Sequence, residues 1–260
     1  MLPLLIFLAA TYTPPCALDE NFHLDWHGPE PLPAGELSCC NVAAGMLTMS
    51  VFDVFAADAT NFEGCSSLRR LELVRVAVVK KLALGSSLEE LHLDGVVVGK
   101  EGFYALPNLR QLTFGAGRTT LGARSFEDSH KLEVLDFRGS GVTYVGVQAF
   151  KGSQTLRAIY IGENMTQADY NAFSALPALE VLDLTAAPES FMLGGAGASA
   201  LGDLPGPITC YTGPPHFLHT ANGGTSTLGV YAFRPSGMVN LMPCTAPPAP
   251  PRRRRRRSRT

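Results

Sequence analysis

The sequence predicts an α/β-type solenoid, a stack of short repeats with a parallel β-sheet on its concave face and short helices or turns on its convex face. Three observations lead there. Two stretches overlay residue for residue: LGARSFEDSHKLEVLDF from Leu121 to Phe137, and VGVQAFKGSQTLRAIYI from Val145 to Ile161. A common ruler, in which a Phe or Leu is followed six, nine and eleven residues later by apolar residues, recurs on both sides of them. Finally, the last two apolar residues of each copy lie two apart, which sets them on one face of a short strand.

The elements follow in chain order. Phe62 precedes Leu68, Leu71 and Leu73; Leu82 precedes Leu88, Leu91 and Leu93; Phe103 precedes Leu109, Leu112 and Phe114. Phe126 leads Leu132, Leu135 and Phe137; Phe150 leads Leu156, Ile159 and Ile161; Phe173 leads Leu179, Leu182 and Leu184. The first leucines fall at 68, 88, 109, 132, 156 and 179, a period of 20 to 24 residues. That period lies within the range of leucine-rich repeats. One such strand is too short and one-sided to stand by itself. Stacked in parallel at about 4.8 Å per rung, the strands share one core, and the leading Phe closes its far wall. Met46, Met49 and Val51 form a weaker copy upstream. Leu228 to Phe233, with Val239, Met242 and Cys244, form another downstream, and the proline-interrupted stretch from Leu201 to Thr212 reads as a degenerate one.

The opening Gly-x-x-Ala-Phe-x-x-Cys/Ser/Ala-x-x-Leu resembles the Treponema-type, BspA-like leucine-rich repeats of bacterial and protist surface proteins. Phe62-Glu-Gly-Cys65-Ser-Ser-Leu68 matches its second half. The usual Cys is kept only at Cys65, with Ala105, Ser129, Ser153 and Leu176 at or near the matching places. The Asn of plant and ribonuclease-inhibitor repeats, three residues after the last apolar residue, occurs only at Asn164 among Val96, Gly117, Ser140, Asn164 and Ala187. The resemblance implies a secreted or surface-associated protein that binds another protein.

Around the repeats, residues 1–17 resemble a secretory signal peptide: Leu2 to Ala10 carries no charge, and Ala10 and Ala17 are candidate cleavage points. Residues 18–45 are expected to form a lead-in and N-terminal cap, 46–187 the repeats, 188–244 degenerate repeats and a C-terminal cap, and 245–260 a disordered Pro/Arg-rich tail. His23, Asp25 and His27 have no tight ligand spacing and read as irregular lead-in. Neither C-x-x-C nor an even cysteine framework remains once Cys16 is removed, which leaves Cys39, Cys40, Cys65, Cys210 and Cys244. Hydrophobic content of 46% with 17% charged residues fits a folded chain. The net charge of −2 hides an asymmetry: seven of the 21 Lys and Arg lie in the tail, so the body carries 14 positive against 23 negative residues, about −9.

Function is expected on the concave face, between the apolar positions of each strand. The central column there reads Glu72, His92, Thr113, Asp136, Tyr160 and Asp183. The preceding column contributes Glu90 and Gln111, and the following one Asp94 and Arg138. These ten residues are the expected contacts for a protein partner. His92 with Asp94 or Glu72 has the makings of a general base with its orienting carboxylate. No nucleophile or oxyanion site accompanies it, so no catalytic residue, metal or cofactor is assigned and no enzyme is expected. The PPHFLHT pair His216 and His219 reads as loop. Asn164-Met-Thr166 is a glycosylation sequon, and Asn164 serves otherwise as a turn residue. No transmembrane anchor is encoded, and nucleic acid is not an expected main partner because the basic tail lacks interleaved aromatics. An intracellular scaffold or adaptor, cytoplasmic or nuclear and addressed by the Arg tail, is the alternative. Sequence leaves the oligomeric state open.

Overall fold

The computed structural model describes residues 23–27, 47–53, 56–57, 62, 68–82, 84, 86–194 and 210–212, with the backbone alone at 23–27, 47–49, 56 and 210–212. The expected signal peptide, Cys39, Cys40, Cys65, Cys244, His216, His219, the Leu228–Cys244 copy and the Arg tail lie outside the described residues. The strands in chain order are β1 (His23–His27), β2 (Leu47–Phe52), β3 (Ala56–Ala57), β4 (Leu68–Val74), β5 (Val78–Val79), β6 (Glu90–Asp94), β7 (Val97–Val98) and β8 (Gln111–Phe114). They continue as β9 (Thr119–Leu121), β10 (Val134–Asp136), β11 (Val142–Val145), β12 (Ala158–Tyr160), β13 (Gln167–Ala168), β14 (Val181–Asp183), β15 (Met192–Leu193) and β16 (Cys210–Thr212).

Each described repeat supplies one strand to a front face and one to a back face, and all pairings are parallel. The front strands order as β1-β2-β4-β6-β8 and then β10-β12-β14-β16; the back strands form one sheet from β3 through β15. The repeat ruler is realised in the pairing. Leu71 pairs with Leu91, Leu91 with Leu112, Leu135 with Ile159 and Ile159 with Leu182. All five of these leucines and Ile159 are buried. The back strands point Val79, Val98, Leu121, Val145, Ala168 and Leu193 into the same core.

A third side joins the two sheets. The sequence reading allowed short helices or turns; the described residues hold turns and no α-helix. The turns stack as a ladder of their own. The Phe103 N–H donates to the Ser125 carbonyl at 2.9 Å, Phe126 to Ala149 at 2.7 Å and Phe150 to Ala172 at 2.9 Å. Two residues before each of these aromatics the backbone is left-handed, at Glu101, Arg124, Gln148 and Asn171. Two residues after, it is left-handed again, at Ala105, Asp128, Gly152 and Ala175. A helix repeats one φ/ψ pair, so this alternation of hand excludes it. Inside the bend the rings of Phe103, Phe126, Phe150 and Phe173 stack with centroids 5.2, 5.2 and 5.8 Å apart. That spacing is close to one rung of a parallel sheet, so the aromatic column and the ladders share a single repeat.

Three further points bear on the sequence reading: two correct it and one fills in what it left open. His23–His27, read as irregular, is strand β1, paired in register with β2 from His23 with Thr48 to His27 with Phe52. Cys210–Thr212 completes a rung, because Leu182 pairs with Tyr211. The residue occupying the family's Cys position in the third copy is Leu106, which is buried, whereas Ala105 is exposed in a left-handed turn.

Among the described front strands the ladder is interrupted once. β8 and β10 are successive front strands, yet they do not join one ladder, while the back pairing of β9 with β11 runs past them with a shift between Val142 and Tyr144. The interruption falls where the repeat lengthens. Leu71, Leu91 and Leu112 are 20 and 21 residues apart, and Leu112, Leu135, Ile159 and Leu182 are 23, 24 and 23 apart.

Candidate functional site

The front face brings the expected contact residues into two groups on either side of the interruption. Before it, Glu72, His92 and Thr113 are paired neighbours in one column, and Arg70, Glu90 and Gln111 in the next. After it, Asp136, Tyr160 and Asp183 form the central column, with Val134, Ala158 and Val181 beside it. The apolar residues of the same strands anchor both groups, since alternate positions face the core.

The first group is polar and cross-linked between rungs. Glu72 Oε2 accepts the Ser50 hydroxyl at 3.4 Å, and His92 Nδ1 lies 2.9 Å from Thr113 Oγ1. Arg70 and Glu90 approach to 3.6 Å. Gln111 is exposed, and Glu72 and Thr113 are half-buried. Asp94 is engaged by the chain's own backbone. Its Oδ1 accepts the Gly117 N–H at 2.6 Å, tying the end of β6 to the next turn.

In the second group the charges are engaged locally. Asp136 Oδ1 accepts the Arg138 N–H at 3.1 Å, and its two oxygens hold the guanidinium at 2.8 and 2.7 Å. This hydrogen-bonded carboxylate holds Arg138 above its ordinary pKa. Asp183 repeats the device two rungs further on, accepting the Thr185 N–H at 2.8 Å and its hydroxyl. Both are turns in which an Asp side chain bonds the backbone two residues on, competing with the sheet ladder for that N–H. Tyr160 corrects the expectation of an open contact residue. It is only 4% exposed, with the Arg138 guanidinium 4.1 Å from its ring centroid. Burial is the main cause of its raised phenol pKa. Val134 is the exposed apolar residue of this group, at 49%.

Asn164 is an exposed turn residue. Its Nδ2 donates to the Ser140 carbonyl at 2.8 Å, linking equivalent turns of neighbouring repeats. Among the described residues, no group of three or more His, Cys, Asp or Glu is placed to hold a metal ion. No helix among them is long and apolar enough to cross a membrane.

Two charge systems escaped the columns chosen in sequence. The residues one position before the Arg70–Val181 column alternate in sign: Arg69, Glu89, Arg110, Glu133, Arg157 and Glu180. Arg69 and Glu89 pair at 3.3 Å. Moving the repeat ruler one residue upstream would have found them. On the turn side, Glu101 bridges Lys81 and Arg124 at 2.9 Å each, and Arg124 also meets Glu127. Tyr104 lies between them, 5.3 Å from both cations. The hydrogen bond from Lys81 is the main cause that lowers the Glu101 pKa.

What the front face offers chemically is a grid of hydrogen-bonding and charged groups about 4.8 Å apart along the stack, suited to a protein segment laid across several rungs. The family described as BspA type leucine-rich repeat region matches residues 80–191 in six copies. No curated protein and no solved structure matches the chain. Repeats of this family suggest a protein-interaction module. The parallel stacking, the leading Phe of each turn and that match together make residues 80–191 a BspA-type leucine-rich repeat region.

Proposed function

We propose that this protein is a non-enzymatic binding module, secreted or surface-associated, that holds another protein against its front sheet and serves in adhesion or recognition. The observation that carries the reading is the paired polar lane Arg70–Glu90–Gln111 and Glu72–His92–Thr113. Six polar side chains over three rungs stand on strands whose other side is fully packed, so the lane is held rigidly and adds no core contact. A rigid, hydrogen-bonding platform lowers the ordering cost of binding an extended partner. Secretion rests on the uncharged Leu2 to Ala10 run and on the family's surface proteins; Asn164 is then a candidate for a sugar.

Two measurements on protein from its native source test this. Amino-terminal sequencing with intact mass should place the start near Thr11 or Leu18; an intact start at Met1 or Leu2 sinks the secreted reading and favours the intracellular adaptor. Surface cross-linking of wild type should trap a discrete partner that is lost in Gln111→Arg/Thr113→Arg and kept in Val97→Lys on the back face. Equal trapping by both variants would move the binding surface elsewhere.

A further inference from the structure

We infer that the break between β8 and β10 is a hinge seam, at which the solenoid opens locally and the front face divides into two platforms. Three observations converge on it. The other neighbouring front strands described here share a backbone ladder, and this pair does not. The two remaining sides stay joined across the same rung. The Arg124 N–H reaches the Val147 carbonyl at 2.9 Å on the turn side, and the back strands β9 and β11 pair. The back pairing absorbs a one-residue shift there, so the seam is where the two ladders change phase.

The backbone hydrogen bonding differs on the two sides of the seam. The Gly115 N–H, just past β8, reaches back to the Leu93 carbonyl at 2.9 Å. The matching N–H after β10 belongs to Arg138 and is turned onto its own Asp136 carboxylate. β10 is three residues long, as are β12 and β14 beyond it, against five in β6. What closes the front of the seam is side-chain and glycine packing. Phe114 and Phe137 stack at 5.2 Å, and the Gly141 N–H donates to the Gly115 carbonyl at 2.8 Å. Gly141 sits so close that a Cβ there would lie 2.1 Å from the Gly117 carbonyl oxygen.

In a stacked repeat array each repeat contacts only its neighbours, so the interface with the fewest ladder bonds opens first. Opening at the seam bends the front face and leaves the turn and back sides continuous. The polar lane then lies on one platform, and Val134, Asp136 and Val181 lie on the other. This deepens the reading of the front face as a binding surface by giving that face adjustable curvature, but its test needs no partner and so fails or succeeds separately.

Hydrogen exchange read by mass spectrometry on the full chain tests it. Peptides covering residues 111–114 and 134–136 should exchange about tenfold faster or more than those covering 90–94 and 158–160, as expected for the loss of one to two ladder bonds. Gly141→Ala should speed exchange further in the two seam peptides and leave 90–94 and 158–160 unchanged. Uniform protection across all four segments, or a Gly141→Ala effect spread evenly over them, overturns the seam.

Discussion

Ala105 and Ala175 are expected to become more stable when replaced by glycine, against the usual direction of that change. Both sit two residues after a core aromatic with left-handed backbone, at φ 56° and 52°. A left-handed conformation costs a residue with a Cβ about 1–2 kcal/mol, and glycine essentially nothing. Glycine in turn costs about 0.5–1 kcal/mol in extra unfolded-chain entropy. The left-handed cost is the larger, so each substitution should stabilise by about 0.5–1 kcal/mol. No hydrogen bond is lost, because the Ala105 N–H that donates to Glu127 at 3.0 Å is retained by glycine. The two sites lie three repeats apart, so the effects should add. Ala149 supplies the control: it is fully buried beside Phe150 and is not among the left-handed residues. Ala149→Gly loses a buried methyl as well as entropy, and should destabilise by about 1.5 kcal/mol. Thermal melts followed by circular dichroism read the difference, at about 2–4 °C per kcal/mol for a chain near this size. If Ala105→Gly and Ala175→Gly both lower Tm alongside Ala149→Gly, the alternating-hand description of the turn ladder is wrong.

Other perturbations separate the forces in the stack. Phe126 is sandwiched at 5.2 Å by Phe103 and by Phe150, so Phe126→Ala should cost about 3–5 kcal/mol in urea unfolding. The Ser129 and Ser153 hydroxyls are buried and meet no hydrogen-bond partner; Ser129→Ala and Ser153→Ala should each raise stability by about 1 kcal/mol, and a loss of that size in chemical denaturation would mean that the hydroxyls are bonded. Arg157→Glu places three acids in succession with Glu133 and Glu180, so it should destabilise by up to about 1 kcal/mol, an effect that shrinks in high salt. Because Lys81 lowers the folded pKa of Glu101 from its ordinary 4.5, the Glu101 contribution is present above that value and lost as pH falls through the lowered one. The Tm of wild type should therefore fall more steeply below pH 4.5 than that of Glu101→Gln, and parallel curves would remove the linkage.

The front strands were legible because their signal is doubly redundant. Leu91 must be apolar to face the core and must recur in step with Leu71 and Leu112 to meet them, and both conditions show in sequence. The third side was less legible, since its order lies in backbone hand. Nothing in the letters Glu101, Arg124 and Gln148 distinguishes a left-handed turn from the first residue of a helix; only the stacking of one turn on the next selects it. β1 escaped for a related reason. HLDWH is only five residues long and poor in aliphatic side chains, and it becomes a strand because β2 offers it an edge.

The candidate site shows the sharper limit. Period-two alternation correctly put Asp94, Asp136 and Asp183 on the side of the strand away from the core, and that is as far as alternation reaches. Whether such a carboxylate faces a partner depends on which N–H groups come within its reach, and at the end of a strand the chain's own backbone is the nearest donor. Asp94 takes the Gly117 N–H, Asp136 that of Arg138 and Asp183 that of Thr185. An aspartate at the last strand position is therefore ambiguous in a way that mid-strand Glu72 and Gln111 at the start of β8 are not, because its short side chain can reach a backbone N–H just past the strand. The consequence reaches the proposed partner. Reversing Asp136 should first release Arg138 from its carboxylate and uncover Tyr160, changing stability before it changes recognition. Replacing Gln111 or Thr113 by Arg leaves those turns intact, which is why the lane between β4 and β8 is the place where loss of binding can be read as loss of contact.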